Sequence, residues 1–364
     1  MRYRELGKTG KECSVIGFGG MRFPKDKDEA IGMVRRAVEL GINYFDSAPG
    51  YCEDRSEDIL GQALEGLTDK VYLSTKSSVG SDPKAGDVIR RIEGQLERMK
   101  ADKIHFYHMW CILDVDQFNR VIAPGGPLDG ALKARDQGLI DHIFFSAHAN
   151  GEEIEQMLQK TNIFEGVTLG YSAINHTNRY RGLRAASKAG LGVVTMNPLG
   201  GGMIPKAADR FRYLISSPEQ TPVQAALRFL LYHPEIDIVL CGMGSLEDVE
   251  RNAAEADRID GPDAVKVSEL KERIQSLGET YCTMCKYCMP CQCDINIPYW
   301  VFAVDRHRLN DAQGAKDWIT WLKNNDKLGD ALPSSCNECG ECLDRCTQKL
   351  PIPDRLKEAV DLFE

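Results

Sequence analysis

Nine of the thirteen cysteines lie beyond residue 280, in two runs. Cys282, Cys285, Cys288 and Cys291 recur at every third position, and so do Cys336, Cys339 and Cys342, with Cys346 four positions further on. Closely spaced thiolates suit soft metals. At this spacing three thiolates of a run can wrap one iron–sulfur cubane while the last crosses to a second. That assigns Cys282, Cys285, Cys288 and Cys346 to one 4Fe–4S cluster, and Cys336, Cys339, Cys342 and Cys291 to another. Cys293 is an extra thiol that could replace Cys291. The proline that often follows the last cysteine is Gln292 in one run and Thr347 in the other. Structural zinc in two four-cysteine sites is the competing chemistry, although zinc ribbons separate their paired cysteines more widely. A disulfide framework would spread its cysteines along the chain. Cys13, Cys52, Cys111 and Cys241 stand singly and read as core or cleft residues.

A second set of reactive types lies in the N-terminal third. "YFDSAPGY" carries Asp46 and Tyr51, and "LSTKS" carries Lys76. Asp46 would hold Lys76 charged, and the ammonium would lower the Tyr51 pKa by stabilising phenolate. A phenol so tuned can pass its proton to a developing alkoxide near neutral pH. Taken singly, the same residues would serve as an ion pair and a loop cap.

These residues need elements to position them. Eight strand-like runs follow one another: "SVIGFG", "INYFDSA", "VYLSTKS", "IHFYHMW", "HIFFSAH", "GVTLGYSA", "GVVTMNP" and "IDIVLCG". Amphipathic stretches separate them. "DKDEAIGMVRRAVELG" has acidic residues in its first turn, apolar residues three to four apart and Gly41 as a stop, and "SEDILGQALEG" and "TPVQAALRFLLYHP" are similar. Strand–helix alternation implies parallel strands covered by helices, and eight units in about 250 residues fit a (β/α)8 barrel. An open doubly wound sheet would show a glycine-rich dinucleotide loop after its first strand, and "GFGGMRF" lacks that pattern. Barrel chemistry belongs at the C-terminal strand ends, where Asp46 and Lys76 fall.

Together, "RELGKTGKECSVIGFGGMR", "FDSAPGYCEDRSEDILGQAL", "LSTK", "NPLGGG" and "CGMGSLEDVERN" resemble the aldo-keto reductase family, in the family's order, over residues 1 to about 275. The resemblance implies a (β/α)8 barrel, NAD(P)H bound without a Rossmann fold, and hydride transfer to a carbonyl with Tyr51 as proton donor. It implies nucleotide contacts from Gly20, Met21, Asp46, Ser146, His148, Met196, Pro198, Leu199, Gly200, Gly242, Met243, Gly244, Ser245, Asp248 and Asn252. The cysteine runs resemble the ferredoxin-like tail that some members carry.

Several positions depart from the family pattern. Where relatives place a histidine near the end of the fourth strand, "IHFYHMWCI" has Trp110. His108 precedes it by two and faces the same way, about 6.6 Å deeper. Indole donates only, whereas imidazole donates, accepts and titrates. His148 stands where asparagine is common, and Met196 where an aromatic stacks on nicotinamide. Relatives using NADPH carry basic residues near Gly242 and Asp248. Glu247 and Asp248 would instead repel a 2′-phosphate, which favours NADH.

The chain of 364 residues carries a net charge of −9, and its isoelectric point is near 5.4. That balance argues against nucleic acid and anionic membranes as partners. No apolar run reaches membrane-spanning length, and "MRYRELGKTG" lacks a signal-peptide core, so a cytoplasmic location is expected. The expected organisation is a barrel over 1–275 and a small, mainly helical ferredoxin-like domain over 276–364. The expected function is carbonyl–alcohol oxidoreduction of a small-molecule substrate, with clusters that are structural or exchange electrons with a redox partner protein. Two alternatives are a barrel without reductase activity acting as an electron-transfer module, and a lyase or isomerase using Tyr51 and Lys76 for acid–base work.

Overall fold

The computed structural model describes the chain apart from residues 276–280, 283, 285, 310, 325–327 and 347, and the side chains of 177, 178 and 275. The strands are β1 (Tyr3–Glu5), β2 (Glu12–Ser14), β3 (Ile16–Gly19), β4 (Tyr44–Asp46), β5 (Tyr72–Ser78), β6 (Ile104–Ile112), β7 (Ile140–Ala147), β8 (Gly166–Gly170), β9 (Gly192–Met196) and β10 (Ile238–Gly242). β3 to β10 close into an eight-stranded barrel in chain order, with β10 returning to β3. Every ladder in it is parallel. The barrel strands coincide with the eight apolar runs read from the sequence.

β1 and β2 form an antiparallel hairpin that the strand–helix pattern did not announce. Leu6 and Cys13 from it join Tyr44, Phe106, Phe144, Val194, Ile238 and Leu240 in one buried cluster. Tyr44 opens β4 and Phe106 lies early in β6, so the hairpin plugs the N-terminal end of the barrel. Side chains two apart along a strand share a face, and the inward faces of β4, β5 and β6 turn polar towards their C-terminal ends.

Helices follow where the pattern places them. Asp26 caps Lys27–Glu39 by accepting from the Glu29 N–H, and Gly41 ends the turn at φ 87°. Ser56–Ala63 and Ala85–Met99 flank β5 in sequence.

By compactness the chain divides into two units. One comprises Met1–Ser172, Arg179–Pro198 and Leu227–Ser268 and holds the whole barrel. The other comprises Ala173–Asn178, Leu199–Ala226 and Glu269–Glu364. Its helices include Ile297–Arg308, Ala312–Asn324 and Ile352–Phe363. Trp300, Val301, Val304, Ile319, Leu322 and Leu356 make its apolar core, with Cys288, Cys342 and Cys346 among them.

Candidate active site

The register pairs Asp46 of β4 with Ser74 of β5 and Lys76 with His108 of β6. All four point into the barrel. Lys76 Nζ donates to Asp46 Oδ1 at 2.6 Å, to Oδ2 at 2.5 Å and to the Ser47 carbonyl at 2.5 Å. Both side chains of the pair are 3% exposed. Burial pulls the Lys76 pKa below its ordinary value, and Asp46 opposes that pull. Breaking one end of such a pair costs about 3–5 kcal/mol, because the other charge is left buried and alone.

The backbone of β5 is tied down from outside. Gln95 Nε2 donates to the Lys76 carbonyl and to Glu57 Oε1, each at 2.9 Å. Thr75 donates to that same oxygen at 2.6 Å, and Arg98 Nη2 donates to Glu57 Oε2 at 2.6 Å. Glu57, Thr75 and Gln95 were not singled out from the sequence. The available signal was a glutamate and a glutamine on otherwise apolar helix faces.

Tyr51 lies in the loop after β4, its ring centroid 5.4 Å from Lys76 Nζ. Cys52, Glu53 and Asp54 follow with φ of 53°, 59° and 65°, a left-handed run that costs roughly 1–2 kcal/mol per residue. The Gly50 N–H donates to Asp54 Oδ1 at 2.6 Å across the loop. Trp110 meets the Tyr51 ring edge-on, at 5.9 Å and 88°. A bulge in β6 presents it: the register against β7 slips between Met109 and Ile112, Cys111 takes φ 66°, and its N–H donates to Ser146 Oγ at 3.0 Å.

One expectation is corrected. Burial, followed by the Asp46 charge, pushes the Tyr51 phenol well above its ordinary pKa, and Lys76 is not among the main influences. After burial, the phenol is influenced by the Asp46 carboxylate rather than by the ammonium, which lies in two-point contact with that same carboxylate.

His108 is fully buried, below the mouth of the barrel. Its Nδ1 lies 3.3 Å from Ser74 Oγ and its Nε2 2.8 Å from Thr168 Oγ1. His148, at the end of β7, is 7% exposed and donates its N–H to the Ile112 carbonyl. Burial, then the nearby Arg179, holds its pKa down to about 3.

Most of the remaining expected nucleotide contacts follow the C-terminal ends of barrel strands in sequence. Gly20 is buried and Met21 is exposed just after β3. Met196 ends β9 half-buried, followed by buried Pro198, while Leu199 and Gly200 belong to the second compact unit. Gly242, which ends β10, and Gly244 are exposed, and Met243 between them is buried. Ser245 caps Leu246–Asp257 by accepting from the Asp248 N–H. Asp248 accepts from the Gly244 N–H at 3.1 Å and pairs with Arg251, which also lies 3.6 Å from Glu247. Arg251 was not weighed from the sequence; its spacing from both acids, three and four residues along a helix, was the signal. Asn252 is 3% exposed.

Residues 15–260 match the family model described as the aldo/keto reductase family. The chain belongs to that family. Membership makes it an NAD(P)-dependent oxidoreductase. It is 28% identical to L-galactose dehydrogenase of Arabidopsis thaliana over 74% of this chain and 92% of that protein. It is 24% identical to pyridoxine 4-dehydrogenase of Escherichia coli over 67% of this chain and 90% of that one. An aldo-keto reductase from Bacillus halodurans, solved in its holo form, superposes with a TM-score of 0.65 at 22% identity, over 77% of this chain and 98% of that chain. One from Klebsiella pneumoniae in complex with NADPH gives 0.61 at 20% identity, over 75% and 95%. These structures share the barrel fold.

The family model ends at residue 260, well before this reductase's cysteine runs. Cys285 lies outside the described residues. Cys288, Cys291, Cys336, Cys339 and Cys342 line one small cavity. Burial, then neighbouring Cys336, Cys339 and Cys291, pushes the Cys342 thiol up to about 11. The Met284 and Leu350 N–H groups donate to Cys282 Sγ and Cys346 Sγ, each at 3.4 Å. Cys293 is half-buried and packs against the same core. Among the described residues, no three His, Cys, Asp or Glu side chains converge as ligands of a single metal ion. No helix of the structure is long and apolar enough to cross a membrane, among the residues described.

Proposed function

We propose that this aldo/keto reductase interconverts a carbonyl and an alcohol, with Tyr51 as proton donor, Lys76 and Asp46 as the pair that holds it, and NADH as the preferred cofactor. The observation that carries the reading is the buried two-point Lys76–Asp46 pair beside the Tyr51 ring. A bound nicotinamide supplies hydride to the carbonyl carbon, or takes it from the alcohol carbon in reverse. Tyr51 gives its O–H proton to the carbonyl oxygen as negative charge builds there. Its raised pKa keeps it protonated across the neutral range, so the acid is always loaded. Trp110 walls the pocket beside Tyr51 and offers at most an indole N–H to a substrate oxygen.

The nucleotide fits the residues present. Asn252 Oδ1 is buried with no hydrogen-bond partner among the described residues, an acceptor suited to an amino group such as adenine carries. Glu247 and Asp248 disfavour a 2′-phosphate, and Arg251, paired to both, is already engaged.

For residues 276–364 we propose a ferredoxin-like domain holding two 4Fe–4S clusters, with Cys291 rather than Cys293 as the crossing ligand. Cys291 lines the thiol-rich cavity with Cys288, Cys336, Cys339 and Cys342, and Cys293 is not among the residues lining it, which supports Cys291 over Cys293. Such clusters supply one-electron exchange or a structural brace, and a redox partner protein would be their counterpart.

The test is an anaerobic preparation titrated with NADH by fluorescence, then supplied with a panel of aldehydes and ketones while NADH absorbance is followed. Binding and consumption are expected. Failure to bind either nicotinamide nucleotide would overturn the reading in favour of an electron-transfer module or a non-redox lyase or isomerase.

A further inference from the structure

We infer that His108 is a positioning residue: with Ser74 and Thr168 it forms a hydrogen-bonded strut inside the barrel that fixes Asp46, and through Asp46 the ammonium of Lys76. The inference rests on the catalytic roles proposed for Tyr51, Lys76 and Asp46.

A count of protons gives the strut its direction. Asp46, paired to Lys76, offers only acceptors. Ser74 Oγ lies 2.7 Å from Asp46 Oδ1, so the single Ser74 hydroxyl proton goes to Asp46. The contact between Ser74 Oγ and His108 Nδ1 at 3.3 Å must then be Nδ1–H donating to oxygen. A neutral imidazole with its proton on Nδ1 has an acceptor at Nε2, and Thr168 Oγ1 lies 2.8 Å away to donate to it. The network thus assigns both the tautomer and the direction. Thr168 gives to His108, His108 gives to Ser74, Ser74 gives to Asp46, and Lys76 gives to Asp46 from the other side. Hydrogen bonds aligned in one sense strengthen one another in a low-dielectric interior. Ser74 and His108 are 0% exposed, Thr168 1% and Asp46 2%. Burial and the Lys76 charge hold the imidazole well below its ordinary pKa, in keeping with a neutral ring.

The strut draws on four strands: β4, β5, β6 and β8. Phe144 of β7 packs on the imidazole at 5.3 Å and 66°, so the ring is held from the side as well as at both nitrogens. Without His108, Ser74 Oγ loses the donor that fixes its lone pairs, and its hydroxyl can rotate away from Asp46. The carboxylate then turns about its own torsion, and Lys76 loses one of two oxygens. In this chain the residue at the usual histidine position is an indole; the imidazole two residues earlier acts one layer below it, through Asp46 rather than on substrate.

The test uses His108→Leu, which removes both nitrogens, and His108→Asn, whose amide N–H can replace Nδ1–H. Ser74→Ala cuts the strut at its next link and serves if His108→Leu fails to fold. Lys76 proton affinity is read by NMR of 13Cε-labelled lysine, with Lys76→Met for assignment. The charged and titratable groups facing Lys76 are Asp46, Glu57, Tyr51 and His108. In His108→Leu and Ser74→Ala the Lys76 proton affinity should fall at least tenfold, while His108→Asn should stay within threefold of the wild type. Turnover of any carbonyl the parent reduces should fall about tenfold in kcat with KM unchanged, and His108→Asn should recover most of it. An unmoved Lys76 titration in the truncating variants overturns the strut, as does a His108→Asn variant that behaves like His108→Leu. A moved titration with unchanged kcat overturns its part in catalysis. Full activity of Tyr51→Phe would instead overturn the underlying catalytic reading, while the lysine titration would still report on the strut.

Discussion

Tyr51 faces an edge of indole on one side and a bound ammonium on another, and its hydroxyl is the one proton donor proposed for substrate. Tyr51→Phe keeps the ring, and with it the 5.9 Å contact to Trp110, so the loop should hold its shape. Loss of general acid catalysis costs 10²–10⁴-fold in rate. The expected outcome is a kcat lowered by that order with NADH affinity nearly unchanged, read by steady-state kinetics and fluorescence titration. A variant that keeps most of its activity would move proton delivery to another group. Asp46, Tyr51 and Lys76 were legible in the sequence because each is a reactive type in a distinctive local string. Ser74, Glu57, Gln95 and Thr168 were not, because a serine or threonine in a strand and a glutamate in a helix are ordinary until folding buries them together. The pKa of Tyr51 was misjudged for a related reason: the burial that chiefly raises it, and then the nearness of the Asp46 charge, are products of folding and not of spacing.

At the scale of elements, all eight barrel strands could be read because a strand buried on both faces is a nearly continuous apolar run. The β1–β2 hairpin escaped because three-residue strands of mixed polarity carry no periodicity. The bulge in β6 escaped too, since it depends on Cys111 taking a left-handed backbone that nothing in its side chain demands. The string holding Leu246–Asp257 was noted for its cofactor-binding resemblance, but the engagement of Arg251 with Glu247 and Asp248 was not, and it sharpens a prediction. NADH should bind about tenfold more tightly than NADPH, since repulsion of a 2′-phosphate in a partly closed site is worth roughly 1–2 kcal/mol. Asp248→Asn removes one charge, keeps an acceptor for the Gly244 N–H and releases Arg251. The gap between the two nucleotides should narrow in that variant. Equal affinities in the parent, or an unchanged gap in Asp248→Asn, would locate cofactor choice elsewhere.

Across the whole molecule two kinds of chemistry meet in one chain: two-electron transfer proposed at the barrel mouth and single-electron centres proposed in the tail. The cysteine runs were legible because ligand spacing is a property of sequence, whereas the burial of Cys288, Cys342 and Cys346 in an apolar core with Trp300 and Leu356 is a property of the fold. The intact protein should carry about eight iron atoms per chain, and Cys339→Ala should lose about half, measured by iron and sulfide assay. Stoichiometric zinc in a colourless anaerobic preparation would sink the cluster assignment. Acid should also weaken the fold, by a route that can be isolated. His148 and His105 are held down to about 3 and about 4 from an ordinary 6.5, burial being the first cause for both. The Leu73 N–H donates to His105 Nδ1 at 3.1 Å, which suits the neutral ring. Between pH 6.5 and 4 the unfolded chain binds these protons and the folded chain does not, so stability falls as pH falls through that window. Asp237 acts in the opposite sense. Burial holds its carboxyl up to about 6 from 3.8, so between those values the folded state binds the extra proton and gains stability as pH falls. The histidines outnumber it, and the net slope should be downward into acid. Asp237→Asn removes the opposing contribution and the cost of a buried charge while leaving an oxygen to accept from the Val193 N–H, now 2.8 Å from Asp237. The variant should be more stable than the parent at pH 7 and lose stability more steeply between pH 6 and 4. Urea unfolding followed by far-ultraviolet circular dichroism at several pH values gives both slopes, and parallel slopes for the two proteins would show that Asp237 does not titrate in this window.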